Sequence, residues 1–136
     1  MSWQDELLRI ITRAKEENIA LVVDTSTNDY PIDTIRNIIS LFNEVKKSTP
    51  LLFVDYKIRD ITDTEKAKEF ELMNHGKASY TDALDWASEN NIDKLFYITD
   101  VTGYFWEEQK VDYEIFWLIP DSFTPKVPFG KSLNLV

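Results

Sequence analysis

The chain has 136 residues, a formal net charge of −9 from 24 acidic and 15 basic side chains, and no cysteine. A chain of this length buries roughly 65–70% of the surface its unfolded form exposes, so it builds a core without staples. The missing cysteines exclude disulfides, zinc–thiolate sites and thiol catalysis, and the acidic surface, with no basic block longer than Lys46-Lys47, argues against nucleic-acid binding.

Ser2 and Asp5 have capping-box spacing, and Leu7, Ile10, Ile11 and Ala14 recur at helical intervals, which predicts a first amphipathic helix running up to Asn18. The segment MSWQDELLRI carries acidic residues where a secretory signal would be basic, and no apolar run reaches membrane-spanning length; the expectation is a soluble, cytoplasmic protein with no membrane contact. Ile19 to Val23 is a compact aliphatic run, the mark of a strand buried on both faces. It leads into Asp24-Thr25-Ser26-Thr27-Asn28.

Pro31 sits where a first helical turn accepts proline, and Ile32, Ile35, Ile38, Ile39, Phe42 and Val45 trace one helical face until Ser48-Thr49-Pro50 breaks it. Leu51 to Val54 reads as a second buried strand, with a short partner strand around Ile58 to Ile61. Residues 62–76 are charged and weakly periodic and carry at most one short helix. Ser79 and Asp82 repeat the capping-box spacing ahead of Ala83, Leu84 and Ala87, predicting a helix that ends near Asn90-Asn91. Lys94 to Thr99 and Tyr113 to Ile119 read as strands, and Ser132 to Val136 as a last strand at the sheet edge. Strands alternating with helices predict a mostly parallel sheet covered on both faces.

Ligands of an open α/β sheet gather outside the carboxyl ends of its strands, where strand order reverses. Three polar clusters fall there: residues 24–28 after the first strand, 79–82 at a helix start, and Thr99-Asp100 after a later strand. Two carboxylates, Asp24 and Asp100, with the hydroxyls of Ser26 and Thr81, form an oxygen-only set suited to a hard divalent cation. Their bland alternative is structural, with Asn28 or Asp29 capping the helix at Pro31, Asp24 accepting backbone hydrogen bonds, and Thr81 and Asp82 serving as first-turn residues. The lone His75 reads as solvated or structural, and Tyr104, Phe105 and Trp106 as packing aromatics beside this face.

From Ile19 to Val136 the chain resembles von Willebrand factor A domains, and in particular the VWA-like domain at the C-terminus of predicted bacterial metallopeptidase-related proteins. The resemblance rests on Asp24-Thr25-Ser26-Thr27-Asn28 against the family's DxSxS, on Tyr80-Thr81-Asp82, on Ile98-Thr99-Asp100, and on the closing Ile115-Phe116-Trp117-Leu118 and Pro128-Phe129-Gly130-Lys131. It implies a three-layer α/β/α Rossmann-like fold with an antiparallel edge strand, forming one VWA-like domain over residues 1–136 with residues 1–18 as a helix ahead of the core. It also implies a metal-ion-dependent adhesion site of Asp24, Ser26, Asn28, Thr81 and Asp100, holding Mg²⁺ with Mn²⁺ or Ca²⁺ as substitutes, whose open position takes a carboxylate from a protein partner. An ATPase or a larger assembly is the partner class the family suggests.

The site departs from the pattern at three places: Asn28 replaces serine, Tyr80 and a single glycine, Gly76, stand where the approach to the threonine is glycine-rich, and Val101 follows Asp100 where the family favours glycine. There is no HExxH motif and no evident base or nucleophile, so the expectation is a non-enzymatic interaction module. Two rivals are a metal-free assembly domain and a flavodoxin-like electron carrier, in which Thr25 to Asn28 would cradle the phosphate of FMN and Tyr56 or Trp106 would stack on the flavin.

Overall fold

The computed structural model describes residues 2–27, 30–67, 70, 78–103 and 109–136. Within them the chain runs α1 (Trp3–Arg13), β1 (Ile19–Asp24), α2 (Ile32–Val45), β2 (Pro50–Val54), β3 (Ile58–Asp63), α3 (Thr81–Glu89), β4 (Lys94–Ile98), β5 (Glu114–Ile119) and β6 (Lys131–Asn134). The six strands form one sheet in the order β3-β2-β1-β4-β5-β6. All neighbours are parallel except β2 and β3, whose antiparallel pairing contains a register shift between Phe53 and Val54. The fold is α/β, and its mostly parallel sheet ends in an antiparallel edge strand.

The central strands are apolar on both faces because helices cover both. On one side Ile19, Leu21 and Val23 of β1 pack with Phe96 and Ile98 of β4 against Leu7 and Ile11 of α1 and Ile35, Ile38 and Phe42 of α2. On the other, Ala20 and Val22 join Leu95, Tyr97 and Trp117 beneath Tyr80, Ala83, Leu84 and Ala87 of the α3 region. Alternation along each strand thus feeds two cores, and each fully buried aliphatic side chain contributes roughly 1.5–3 kcal/mol. Phe42 meets Phe96 edge-on at 4.9 Å between ring centroids, fastening α2 to β4.

Several boundaries differ from the sequence reading, each for a local reason. Ser2 caps α1 by accepting from Asp5 N–H at 3.2 Å, but the helix stops at Arg13 rather than near Asn18. Asn18 is taken by the β4 entry: its N–H donates to Asp93 Oδ2 at 2.9 Å and its carbonyl accepts from Asp93 N–H at 2.7 Å. Pro31 lies one residue outside α2, as the extended cap rather than in the first turn. The Ser79–Asp82 capping box is not formed. Ser79 instead donates its N–H to the Asp55 carbonyl at 3.1 Å, so Tyr80 becomes the cap residue of α3 and makes no side-chain capping bond. Thr62 and Asp63 extend β3; most of the 62–76 stretch, including His75, lies outside the described residues, as do Asn28, Asp29 and the aromatics 104–106.

Strand order reverses between β1 and β4. β1 has β2 on one side and β4 on the other, so the chain leaves their carboxyl ends in opposite directions and opens a crevice there. Asp24 ends β1, and Thr99-Asp100 directly follows β4.

Candidate functional site at the carboxyl edge

Asp24 is the hub of the edge. It is 1% exposed, and its carboxylate is surrounded by donors from three parts of the chain. Ser26 N–H donates to Oδ1 at 2.8 Å, Thr99 Oγ1 donates to Oδ2 at 2.7 Å, and the Tyr30 phenol donates to Oδ2 over a longer 3.3 Å. A carboxylate offers about four lone-pair sites, and these three donors occupy most of them. Burial raises the Asp24 pKa above its ordinary value, the hydrogen bonds from Ser26 and Thr99 oppose that rise, and the nearby charge of Asp100 adds to it.

Asp100 stands at the mouth. Its Oδ1 accepts from Thr102 N–H at 3.0 Å and from Thr102 Oγ1 at 2.6 Å, while its own N–H donates to the Tyr30 phenol oxygen at 2.9 Å. Asp100 Oδ2 has no hydrogen-bond donor among the described residues, and no Lys, Arg or His there pairs with either Asp24 or Asp100. The charge of Asp100 acts on the buried Asp24, and neither side chain has a compensating cation among the described residues.

Of the five metal candidates, Asp24, Ser26 and Asp100 come together. Thr81 opens α3 directly after Tyr80, which does reach the cluster, but Thr81 makes no hydrogen bond to Asp24, Ser26 or Asp100. Asn28 lies outside the described residues.

Asp24 is buried and already accepts from three donors, so a hard cation at this edge would have to be held by outer oxygens, of which the brought-together candidates offer the Ser26 hydroxyl and Asp100 Oδ2. Among the described residues there is no group of three or more His, Cys, Asp or Glu side chains placed to hold a metal, so neutral oxygens would have to supply much of the coordination.

Three groups central to the cluster were not among the sequence-read site residues, although Thr99 stood in one of the polar clusters placed at this edge. Thr99, fully buried, bonds Asp24 and accepts from Val101 N–H at 3.2 Å. Tyr30 continues the alternation 24, 26, 28 by one more step, a signal visible in the sequence. Tyr80, counted there only as crowding, places its hydroxyl 3.1 Å from Thr99 Oγ1 and accepts from Gly103 N–H at 2.9 Å. Burial is the main cause that pushes both tyrosines' pKa upward, so both remain phenols at any ordinary pH. A fourth buried group, Asp55 at the end of β2, accepts from Lys57 N–H at 3.2 Å and from Arg59 Nε at 2.8 Å; Arg59 in turn lies over the Tyr56 ring at 4.8 Å.

No curated protein and no solved structure matches the chain. The model of the VWA-like domain (DUF2201) family matches residues 19–136, which span β1 to the C-terminus and include every residue of the edge cluster. The chain belongs to this VWA-like domain family.

Proposed function

We propose that the domain is a non-enzymatic protein-interaction module that binds its partner through the carboxyl-edge loops, with Mg²⁺ as the bridging element. Family membership supports an interaction or assembly role, and one observation carries the metal reading: the charge of Asp100 reaches the buried Asp24, and neither pairs with a cationic side chain among the described residues. Ser26, Thr81 and Asp100 would hold the ion in front of Asp24, with Asn28 completing the loop's contribution. A bound Mg²⁺ supplies an electrophilic position for a partner's carboxylate. The chain's own residues orient the oxygens: Asp24 draws the Thr99 hydroxyl proton and the Ser26 N–H inward, and the β1 and β4 termini place the two carboxylates on one edge.

The setting we propose is cytoplasmic, and the partner a subunit of a larger assembly or an ATPase, as the family resemblance suggests. No helix among the described residues is long and apolar enough to cross a membrane. Titration of the purified protein with Mg²⁺, read by melting temperature and by the amide resonances of Ser26, Thr81 and Asp100, tests the reading. Binding at 100 times Kd stabilises a native state by about 2.7 kcal/mol, so a rise in melting temperature with shifts confined to these loops is expected. Unchanged spectra in millimolar excess of Mg²⁺ and Mn²⁺ would leave the metal-free assembly domain as the reading.

A further inference from the structure

Four consecutive amides follow β4, and the hydrogen bonds of three of them converge on side-chain oxygens around Asp24. Asp100 N–H goes to the Tyr30 phenol, Val101 N–H to Thr99 Oγ1 and Gly103 N–H to the Tyr80 phenol; the fourth, Thr102 N–H, goes to Asp100 itself. The proton directions follow from this. Thr99 has one proton and gives it to Asp24, so in the 3.1 Å pair with Tyr80 the tyrosine is the donor. Tyr30 likewise spends its proton on Asp24 and uses a lone pair for Asp100. The polar chain runs Tyr80 to Thr99 to Asp24, with Tyr30 as a second arm.

The loop does not hold this shape by propensity. Val101 sits at φ 61°, in the left-handed region that a β-branched residue rarely adopts. Gly103 is pressed against Ala78, where an added Cβ would lie 2.7 Å from the Ala78 Cβ and 2.8 Å from its carbonyl oxygen. Tyr80 is in turn gripped by aromatic neighbours, edge-on to Tyr97 at 5.3 Å and to Trp117 at 5.4 Å. Its hydroxyl is therefore a fixed point to which a strained loop is tied.

We infer that Tyr30 and Tyr80 are positioning residues: their phenols hold residues 99–103 against Asp24 and so fix where Asp100 stands at the edge. The clamping of the loop stands on the hydrogen bonds alone, and its consequence for an ion rests on the function proposed above.

Hydrogen exchange, followed by NMR on the whole chain without added metal, separates positioning from mere stabilisation. In Tyr30→Phe the Asp100 amide loses about tenfold in protection or more beyond any loss at Val22 and Leu95 in the central strands, and in Tyr80→Phe the Gly103 amide does the same. Equal loss at loop and strand amides in both variants overturns the proposal. In the Mg²⁺ arm, Tyr30→Phe weakens the ion-induced shifts at Ser26 and Asp100 by about tenfold; equal affinity in variant and wild type overturns the positioning role toward the ion. A wild type that ignores Mg²⁺ refutes the metal reading instead, and the amide arm then decides the clamp by itself.

Discussion

Thr99→Val is the substitution that tests the edge network most directly, because it keeps the shape of the side chain and removes only the hydroxyl. Thr99 is fully buried and sits at a node: it donates to Asp24 at 2.7 Å, accepts from Val101 N–H at 3.2 Å and pairs with the Tyr80 phenol at 3.1 Å. A hydrogen bond to an ionised acceptor contributes about 1.5–3 kcal/mol, and each buried partner left unpaired costs about 1–3 kcal/mol, with the half-buried Val101 amide at the low end. The sum is a loss of about 3.5–7 kcal/mol, a large share of the 5–15 kcal/mol typical of a domain's stability. In urea, with a slope of about 2 kcal/mol/M, the midpoint falls by about 2 M or more at unchanged slope. Thr99→Ser is the control, since it keeps the hydroxyl and gives up one methyl group, for about 1 kcal/mol. A valine variant that loses less than about 1 kcal/mol, or a serine variant as unstable as the valine one, refutes the reasoning, because either result means that the hydroxyl does not organise the edge.

Two further outcomes follow from the same geometry. Val101→Gly removes a left-handed β-branched residue that costs about 1–2 kcal/mol, against about 0.5–1 kcal/mol for the added freedom of glycine and up to about 1 kcal/mol of lost packing. The variant is expected within about 1 kcal/mol of wild type in thermal unfolding, and a loss above about 1 kcal/mol contradicts the strain argument. The pH dependence has its own sign: burial raises the Asp24 pKa above 3.8, so the folded state holds that proton more tightly than the unfolded one. Asp24's contribution is therefore most favourable below about pH 4 and is lost as pH rises through its raised folded value. The stability of wild type relative to Asp24→Asn, measured by urea denaturation across pH 4–7, should fall with increasing pH; a flat difference shows that burial does not perturb this carboxylate.

The strands were legible because their physics is local. Ile19–Asp24, Pro50–Val54, Lys94–Ile98 and Glu114–Ile119 are nearly unbroken apolar runs, and such a run between polar ends has few fates in a chain with alternating helices. Helix starts were less legible because cap residues have competitors: Ser79 has the right spacing to cap α3, yet its amide is held by the Asp55 carbonyl across the sheet edge. The same limit governed the site. Asp24 and Ser26 stand two residues apart and announce themselves, whereas Thr99 reaches Asp24 across 75 positions of sequence, through a β1–β4 adjacency that only the strand order creates.

The structure also changes how the departures from the family pattern relate to each other. In the sequence Tyr80 crowds a glycine-rich approach, Val101 stiffens a turn that favours glycine, and Asn28 drops a hydroxyl, three independent injuries to one site. In the fold the first two belong to one arrangement. Tyr80 donates to Thr99 and accepts from Gly103, Thr99 accepts from Val101, and those two amides bracket the strained valine on both sides. A glycine at 101 would not need such bonds to hold the turn, and a glycine at 80 could not offer them. The hydrogen bonds thus join the two positions, and the pair predicts coupling: Val101→Gly should lessen the damage done by Tyr80→Phe, and a double-mutant cycle with additive effects would separate what the hydrogen bonds join.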